Sequence, residues 1–200
     1  MFDKLRVEFR RQVPFAASRA INEMAFETRE MLKSQMDRYY DGGAVRYTKN
    51  AVYSSRSTKR NLYATVFIGG NDEHRIRYIL NTIDGGRATP RKKVLTEPVD
   101  KKLRLTKLGH NIPRGAIQRI AKKPGYFIFP QPGTKQSGGN MQPGLYRRTK
   151  GRKIELIVAF HESKAHKAVF PARSLSAAFV KRHFNSILYR NLRGAIRTMK

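Results

Sequence analysis

Gly144-Leu145-Tyr146-Arg147-Arg148, followed by Lys150-Gly151-Arg152 and then Lys153-Ile154-Glu155-Leu156-Ile157-Val158-Ala159-Phe160, is the stretch that decides the fold class. Aromatic, leucine and β-branched residues stand on both sides of a short glycine-centred turn, the signature of a β-hairpin. Its second arm is the strongest strand signal in the chain. A hairpin alone cannot bury both of its faces, so further strands and helices must cover it.

Working outward, Tyr126-Phe127-Ile128-Phe129 reads as a further strand. Between it and the hairpin, residues 130–143 are rich in Pro, Gly and polar residues and have almost nothing to bury. Upstream, Pro113 to Ala121 has the spacing of a short helix, and Leu103-Arg104-Leu105 that of a brief strand. Arg87 to Lys93 is a basic loop. His74 to Ile83 suits a short helix with Ile76, Ile79, Leu80 and Ile83 on one side, stopped by Gly85-Gly86. Leu62 to Ile68 and Ala51-Val52-Tyr53 read as strands, joined through the polar Ser54–Asn61 segment.

Each end of the chain carries a long helix. From Pro14 to Met36, the residues Ala17, Ile21, Met24, Thr28, Met31 and Leu32 recur at three- and four-residue steps. Pro14 suits a first helical turn, and Asp41-Gly42-Gly43 ends the segment. From Ser174 to Thr198, the side chains Val180, Phe184, Ile187, Leu188 and Ala195 form an apolar side. Arg182, Arg190, Arg193 and Arg197 fall on the opposite side at about 100° per residue. Leu175 and Phe179 fall on that basic side too. Their places are under the Phe170-Pro171 corner or against a neighbouring subunit. The expected fold is one α+β domain over residues 1–200. An antiparallel β-sheet is packed by the N-terminal and C-terminal helices, with long basic, mobile loops near 87–102 and 130–143.

The charge is extreme. Forty-two Lys and Arg against 14 Asp and Glu leave a formal net charge of +28. Residues 101–154 hold fourteen cations and no acid, and residues 163–200 hold nine and none. Such a surface repels itself unless a polyanion, an acidic protein face or an assembly offsets it. Phosphate contact needs only Lys and Arg and carries no base readout. Tyr39-Tyr40, Tyr126, Phe127 and Tyr146 lie near basic residues, where they either stack on bases or pack in the strands. A 40% hydrophobic content argues for a folded chain. No apolar run is long enough for a membrane helix, and Met1 to Arg6 has no apolar signal region behind its charges.

Catalytic constellations are not evident. The chain has no cysteine, which removes thiolate chemistry and thiolate metal sites. His161 and His166 lie five apart, whereas a zinc helix needs a four-residue step. A Mg²⁺ nuclease wants several convergent acids. Asp72, Glu73 and Asp84 are the candidates, and Asp72-Glu73 fits a turn before a helix. The Gly-Gly pairs lack a phosphate-loop ending, and no Gly-x-Ser-x-Gly elbow occurs. The expectation is a non-enzyme with no cofactor and no metal.

Val13-Pro14-Phe15-Ala16-Ala17-Ser18-Arg19-Ala20-Ile21-Asn22-Glu23-Met24-Ala25 resembles the first helix of phage minor tail protein Z and related tail-completion proteins. Tyr78-Ile79-Leu80 to Gly85-Gly86-Arg87, Gly144 to Arg148, and Phe170-Pro171 leading into a long amphipathic helix are similar to the same proteins. The resemblance implies a structural virion protein of a tailed bacteriophage, a neck component joining head to tail. It implies a ring of copies, commonly sixfold, around double-stranded DNA in the channel, with neighbouring neck and tail proteins as partners and no membrane. It would be assembled in the host cytoplasm. Under that reading Arg182, Arg190, Arg193, Arg197, Arg147 and Arg148 face DNA without sequence preference, and Arg91, Lys92, Lys93, Leu175 and Phe179 dock on partners. The alternative is a free nucleic-acid-binding protein of the ribosomal or nucleoid type.

Overall fold

A computed structural model describes residues 2–90, 94–130 and 141–198. Helix α1 runs Phe2–Tyr39, with Pro14 inside it, so Pro14 is not the first-turn residue. Proline costs the helix one backbone hydrogen bond. No Gly or Asn punctuates residues 2–13, so nothing local ends the helix upstream of the proline. Helix α5 runs Ala172–Arg197. Between them lie α2 (Arg46–Lys49), β1 (Val52–Ser54), β2 (Val66–Ile68), α3 (Glu73–Asp84), β3 (Gly86–Ala88), β4 (Leu95–Pro98) and α4 (Ala116–Ala121). β5 (Tyr126–Phe129), β6 (Gly144–Arg148), β7 (Ile154–His161) and β8 (Lys164–His166) complete the order. The fold is α+β, with long terminal helices packed on antiparallel strands.

Where the sequence reads as one domain, the chain forms two compact units, Met1–Ile83 with Ala168–Lys200, and Asp84–Lys167. Each has its own apolar cluster, which is what makes a unit separable.

In the first unit, β1 and β2 pair antiparallel over three residues, Val52↔Ile68 to Ser54↔Val66. Only this part of the Leu62–Ile68 stretch is strand, because β1 offers only three partners. Leu32, Met36, Val52, Ile79 and Phe170 form the larger core of this unit. Phe170 is 1% exposed, with the rings of Tyr39 and Tyr40 at 5.7 and 5.9 Å from its own. The Val169 and Phe170 N–H groups donate to the Thr82 carbonyl at 2.8 and 2.9 Å, which fixes the corner before α5. The Thr82 hydroxyl donates to the Ile79 carbonyl at 2.6 Å, so the 2.6 Å bond between Tyr40 and Thr82 has Tyr40 as donor. Burial pushes the Tyr40 phenol up to about 12, against the pull of the Thr82 bond. Further along, α1 meets α5 through Ala20, Met24 and Ile187. The small side chains of Ala16 and Ala20, both buried, let the helices approach closely.

In the second unit, the strand order is β4-β7-β6-β5, all antiparallel. The hairpin read from the sequence is β6–β7, with a register shift at Leu145/Tyr146. Leu145, Ile157 and Val158 are buried under Ile112, Ile117 and Ile120. A Cβ on Gly144 would press on the Val158 carbonyl oxygen and lie 2.6 Å from Leu156 Cδ1, so only glycine fits there. The 87–102 stretch is not all loop. It contains most of β3 and all of β4, with Glu97↔Ala159 and Pro98↔Val158 in register. β4 is an edge strand, where proline is tolerated. Leu103–Leu105 is not strand. β3 pairs with β8, Gly86↔His166 to Ala88↔Lys164, where the chain enters and leaves this unit. Lys164 Nζ lies 2.7 Å from Glu97 Oε1, and that hydrogen bond holds the Glu97 carboxyl below the usual glutamate range.

Candidate nucleic-acid interface

The arginines of α5 separate into two kinds. Arg190 Nη2 is ion-paired with Glu23 of α1, and Asn191 Nδ2 donates to the same carboxylate at 2.8 Å. Arg190 therefore ties the two long helices together. Arg182, Arg193 and Arg197 are exposed and have no ion pair among the described residues. Tyr189 and Ile196 stand among them, 70% and 54% exposed. Arg182, Tyr189 and Ile196 are seven apart, so they form one ridge along the helix. A purely phosphate-binding face has no use for such apolar bulk, whereas Tyr and Arg together are the residues that anchor protein interfaces.

Of the two places the sequence leaves open for Leu175 and Phe179, both residues occupy one inside the chain, partly buried against its own cores. Leu175 packs on the Phe170 cluster, and Phe179 packs with Ala20, Met24 and Ile187. No single fixed face describes this 26-residue helix. Leu175, Phe179, His183 and Ile187 are four apart, and each step turns by about 40°. The buried line therefore winds around α5 as its neighbour changes from the Phe170 corner to α1. Val180 lies on the apolar side as expected but is not covered, at 36% exposure. It lines an apolar cleft of about 580 Å³ in the first unit, with Met24, Leu32, Phe67, Leu80 and Phe184.

Arg147 and Arg148 are adjacent on β6 and point to opposite faces of the sheet. Arg147 Nη2 lies 2.6 Å from Glu155 Oε2 of β7. That bond, with a second from Tyr126, raises the guanidinium's pKa further above its ordinary value. Arg148 is exposed, and its guanidinium carbon lies 5.2 Å above the centre of the Phe127 ring. Phe127 stacks in turn on Tyr146, 5.7 Å away and 18° from parallel. Tyr146 is buried and its hydroxyl donates to the Gln142 carbonyl at 2.6 Å. The aromatic pair thus supports the arginine from below and offers no open ring to a base. Tyr40 and Tyr126 likewise pack in the cores, and Tyr39, though partly open to solvent, sets its ring against Phe170. Arg91, Lys92 and Lys93, and most of the 130–143 segment, lie outside the described residues.

Open aromatics occur instead at positions outside the candidate set. Phe15 and Phe26 are exposed on the polar side of α1. Lys59 Nζ lies 4.9 Å from the Phe15 ring centre and Arg29 Cζ 4.7 Å from that of Phe26. Tyr47 carries the Arg75 guanidinium at 4.8 Å. The helical spacing contains a signal for the first two. Phe15 and Phe26 are eleven residues apart, three helical turns, and both fall off the apolar stripe.

Among the described residues, no three His, Asp or Glu side chains converge as metal ligands. His161 and His166 sit on separate strands, β7 and β8. His161 Nε2 lies 3.1 Å from Glu97 Oε2, close but not aligned as a hydrogen bond. Among the described residues, no helix is long and apolar enough to cross a membrane. Comparison with family models, curated proteins and solved structures returns no match to this chain.

Proposed function

We propose that this chain is a structural virion protein of a tailed bacteriophage, a tail-completion component that forms a ring, sixfold, at the junction of head and tail around the DNA. The observation that carries this reading is the surface of the first unit. Phe15, Phe26, Tyr47, Tyr53, Tyr63, Phe67 and Tyr189 are all exposed there on a polycationic chain. Apolar surface on that scale marks protein contact, and a free nucleic-acid-binding protein has no need of it. Ring contacts are head-to-tail, so two different patches of one chain meet. Further support comes from the resemblance. Its Val13–Ala25 segment contributes the close α1–α5 contact, and Phe170-Pro171 is the corner before α5.

Mass photometry and negative-stain imaging of the purified protein across a KCl series test the proposal. Rings are expected, and they should persist or gain population at high salt, because salt screens the repulsion between +28 subunits. A protein that stays monomeric at every salt concentration and binds nucleic acid tightly would instead be of the free, nucleoid type.

A further inference from the structure

We propose that the surface gripping duplex DNA is one end of the four-stranded sheet, made of Arg148 with Lys122, Lys123, Lys150 and Lys153, and that Arg147 takes no part. The inference rests on the proposed DNA partner and adds the place where the phosphates bind.

The topology brings these side chains to one end. The turn from α4 into β5 contains Lys122 and Lys123, and the turn from β6 into β7 contains Lys150 and Lys153. Because Tyr126 is in register with Arg147, and Arg148 with Ile154, both turns lie at the same end of β5, β6 and β7. The Arg148 N–H donates to the Gly125 carbonyl at 2.7 Å, pinning the first turn to the second strand. Gly125 makes this possible with a φ of +80°, a conformation that side-chain-bearing residues rarely adopt. The second turn is closed by the Thr149 N–H on the Lys153 carbonyl at 2.8 Å. A Cβ built on Gly151, also at φ +80°, meets nothing within 4 Å, so this tip stands clear of its surroundings.

All five side chains are exposed, and none has an ion pair among the described residues. Three strands at about 4.8 Å spacing make the end about 10 Å wide, enough for neighbouring backbone phosphates. Arg148 is the oriented member, since Phe127 and Tyr146 hold its planar fork in place before any ligand arrives. Arg147 has already given its charge to Glu155 on the other face. The α5 ridge differs in kind. Tyr189 and Ile196 project among its arginines, which suits a protein partner. The sheet end gathers five cations beside one another, with Ile154 exposed among them, and non-specific phosphate binding requires only the cations.

The experiment measures affinity for a random-sequence 30-base-pair duplex by fluorescence anisotropy over a KCl series. Three variants of the full chain are compared with the parent: Lys122→Gln/Lys123→Gln/Arg148→Gln/Lys150→Gln/Lys153→Gln, Arg147→Gln/Glu155→Gln, and Arg182→Gln/Arg193→Gln/Arg197→Gln. Removing one cation from a phosphate flattens the log–log salt slope by about 0.9. The first variant should flatten it by about two units or more, and the other two should leave it within about half a unit. Arg148→Lys alone should keep the slope but weaken binding several-fold, because it keeps the charge and loses the oriented fork. Circular dichroism melts confirm that each variant is folded, and Arg148→Lys remains decisive where the fivefold variant is not. Parental binding with an unchanged slope in the first variant, or a slope lost only in the α5 variant, would overturn the location while leaving a DNA partner in place. A parent that binds polyglutamate but no duplex would overturn the DNA reading itself.

Discussion

Glu23 of α1 holds both Arg190 and Asn191 of α5, the latter at 2.8 Å. One carboxylate thus receives two donors from successive residues of the opposing helix. The contact clamps the α1–α5 pair just beyond the buried Ile187.

Glu23→Gln should therefore loosen the helix pair without unfolding it. The Arg190 side chain is mostly exposed, so solvent screening limits the cost to about 0.5–1 kcal/mol. A thermal melt should record a small drop that shrinks as salt is added. Arg190→Gln should give a drop of similar size and leave duplex binding unchanged.

Phe170→Ala removes the ring that Tyr39 and Tyr40 pack on. The expected cost is about 3–5 kcal/mol, because truncating a buried phenylalanine forfeits its transfer energy and leaves a cavity. Chemical denaturation would quantify it, and the near-ultraviolet tyrosine signal should collapse with it.

Tyr40 makes stability sensitive to alkali. Its pKa is pushed up to about 12 in the folded state, while an unfolded tyrosine titrates near 10. Between those values the unfolded chain has lost a proton that the folded chain keeps, so stability falls as pH rises. The contribution is complete below pH 10. Tyr40→Phe should flatten the decline measured by denaturant titrations from pH 9 to 12, at a cost of about 1 kcal/mol at neutral pH for the missing hydrogen bond.

Glu97 acts at the other end of the scale. Lys164 lowers its pKa, so its contribution is present above the ordinary glutamate value of 4.5. That contribution disappears as pH falls through the depressed value, where the folded carboxylate is finally protonated. Glu97→Gln should remove that part of the acid-side decline in melts recorded from pH 6 down to 3.

Gly144→Ala tests the close approach of β6 to β7. The added Cβ meets the Val158 carbonyl and Leu156 Cδ1, so the strands must part, at about 1–3 kcal/mol. Hydrogen exchange should show faster exchange for the Leu145 and Val158 amides.

The elements legible in the sequence are those written in local periodicity. The β6–β7 hairpin, the helical stripe from Ala17 to Leu32 and the short helix α3 each follow from spacing within a few turns or one pleat, because burial on one face imposes that spacing directly. The polycationic character is legible too, since net charge does not depend on the fold. The partner of each residue cannot be read this way. β4 has only Leu95, Thr96, Glu97 and Pro98 to announce it, and it is a strand because β7 lies beside it. Leu175 and Phe179 fall on the wrong face of an idealised helix because the neighbours of α5 change along its length. Arg190 is engaged by an acid 167 positions away. Arg147 and Arg148 are chemically identical neighbours in the sequence. The alternation of the strand sends one to Glu155 and the other over Phe127, and only the packing of three strands decides which of the two is paired with an acid and which is laid on a ring.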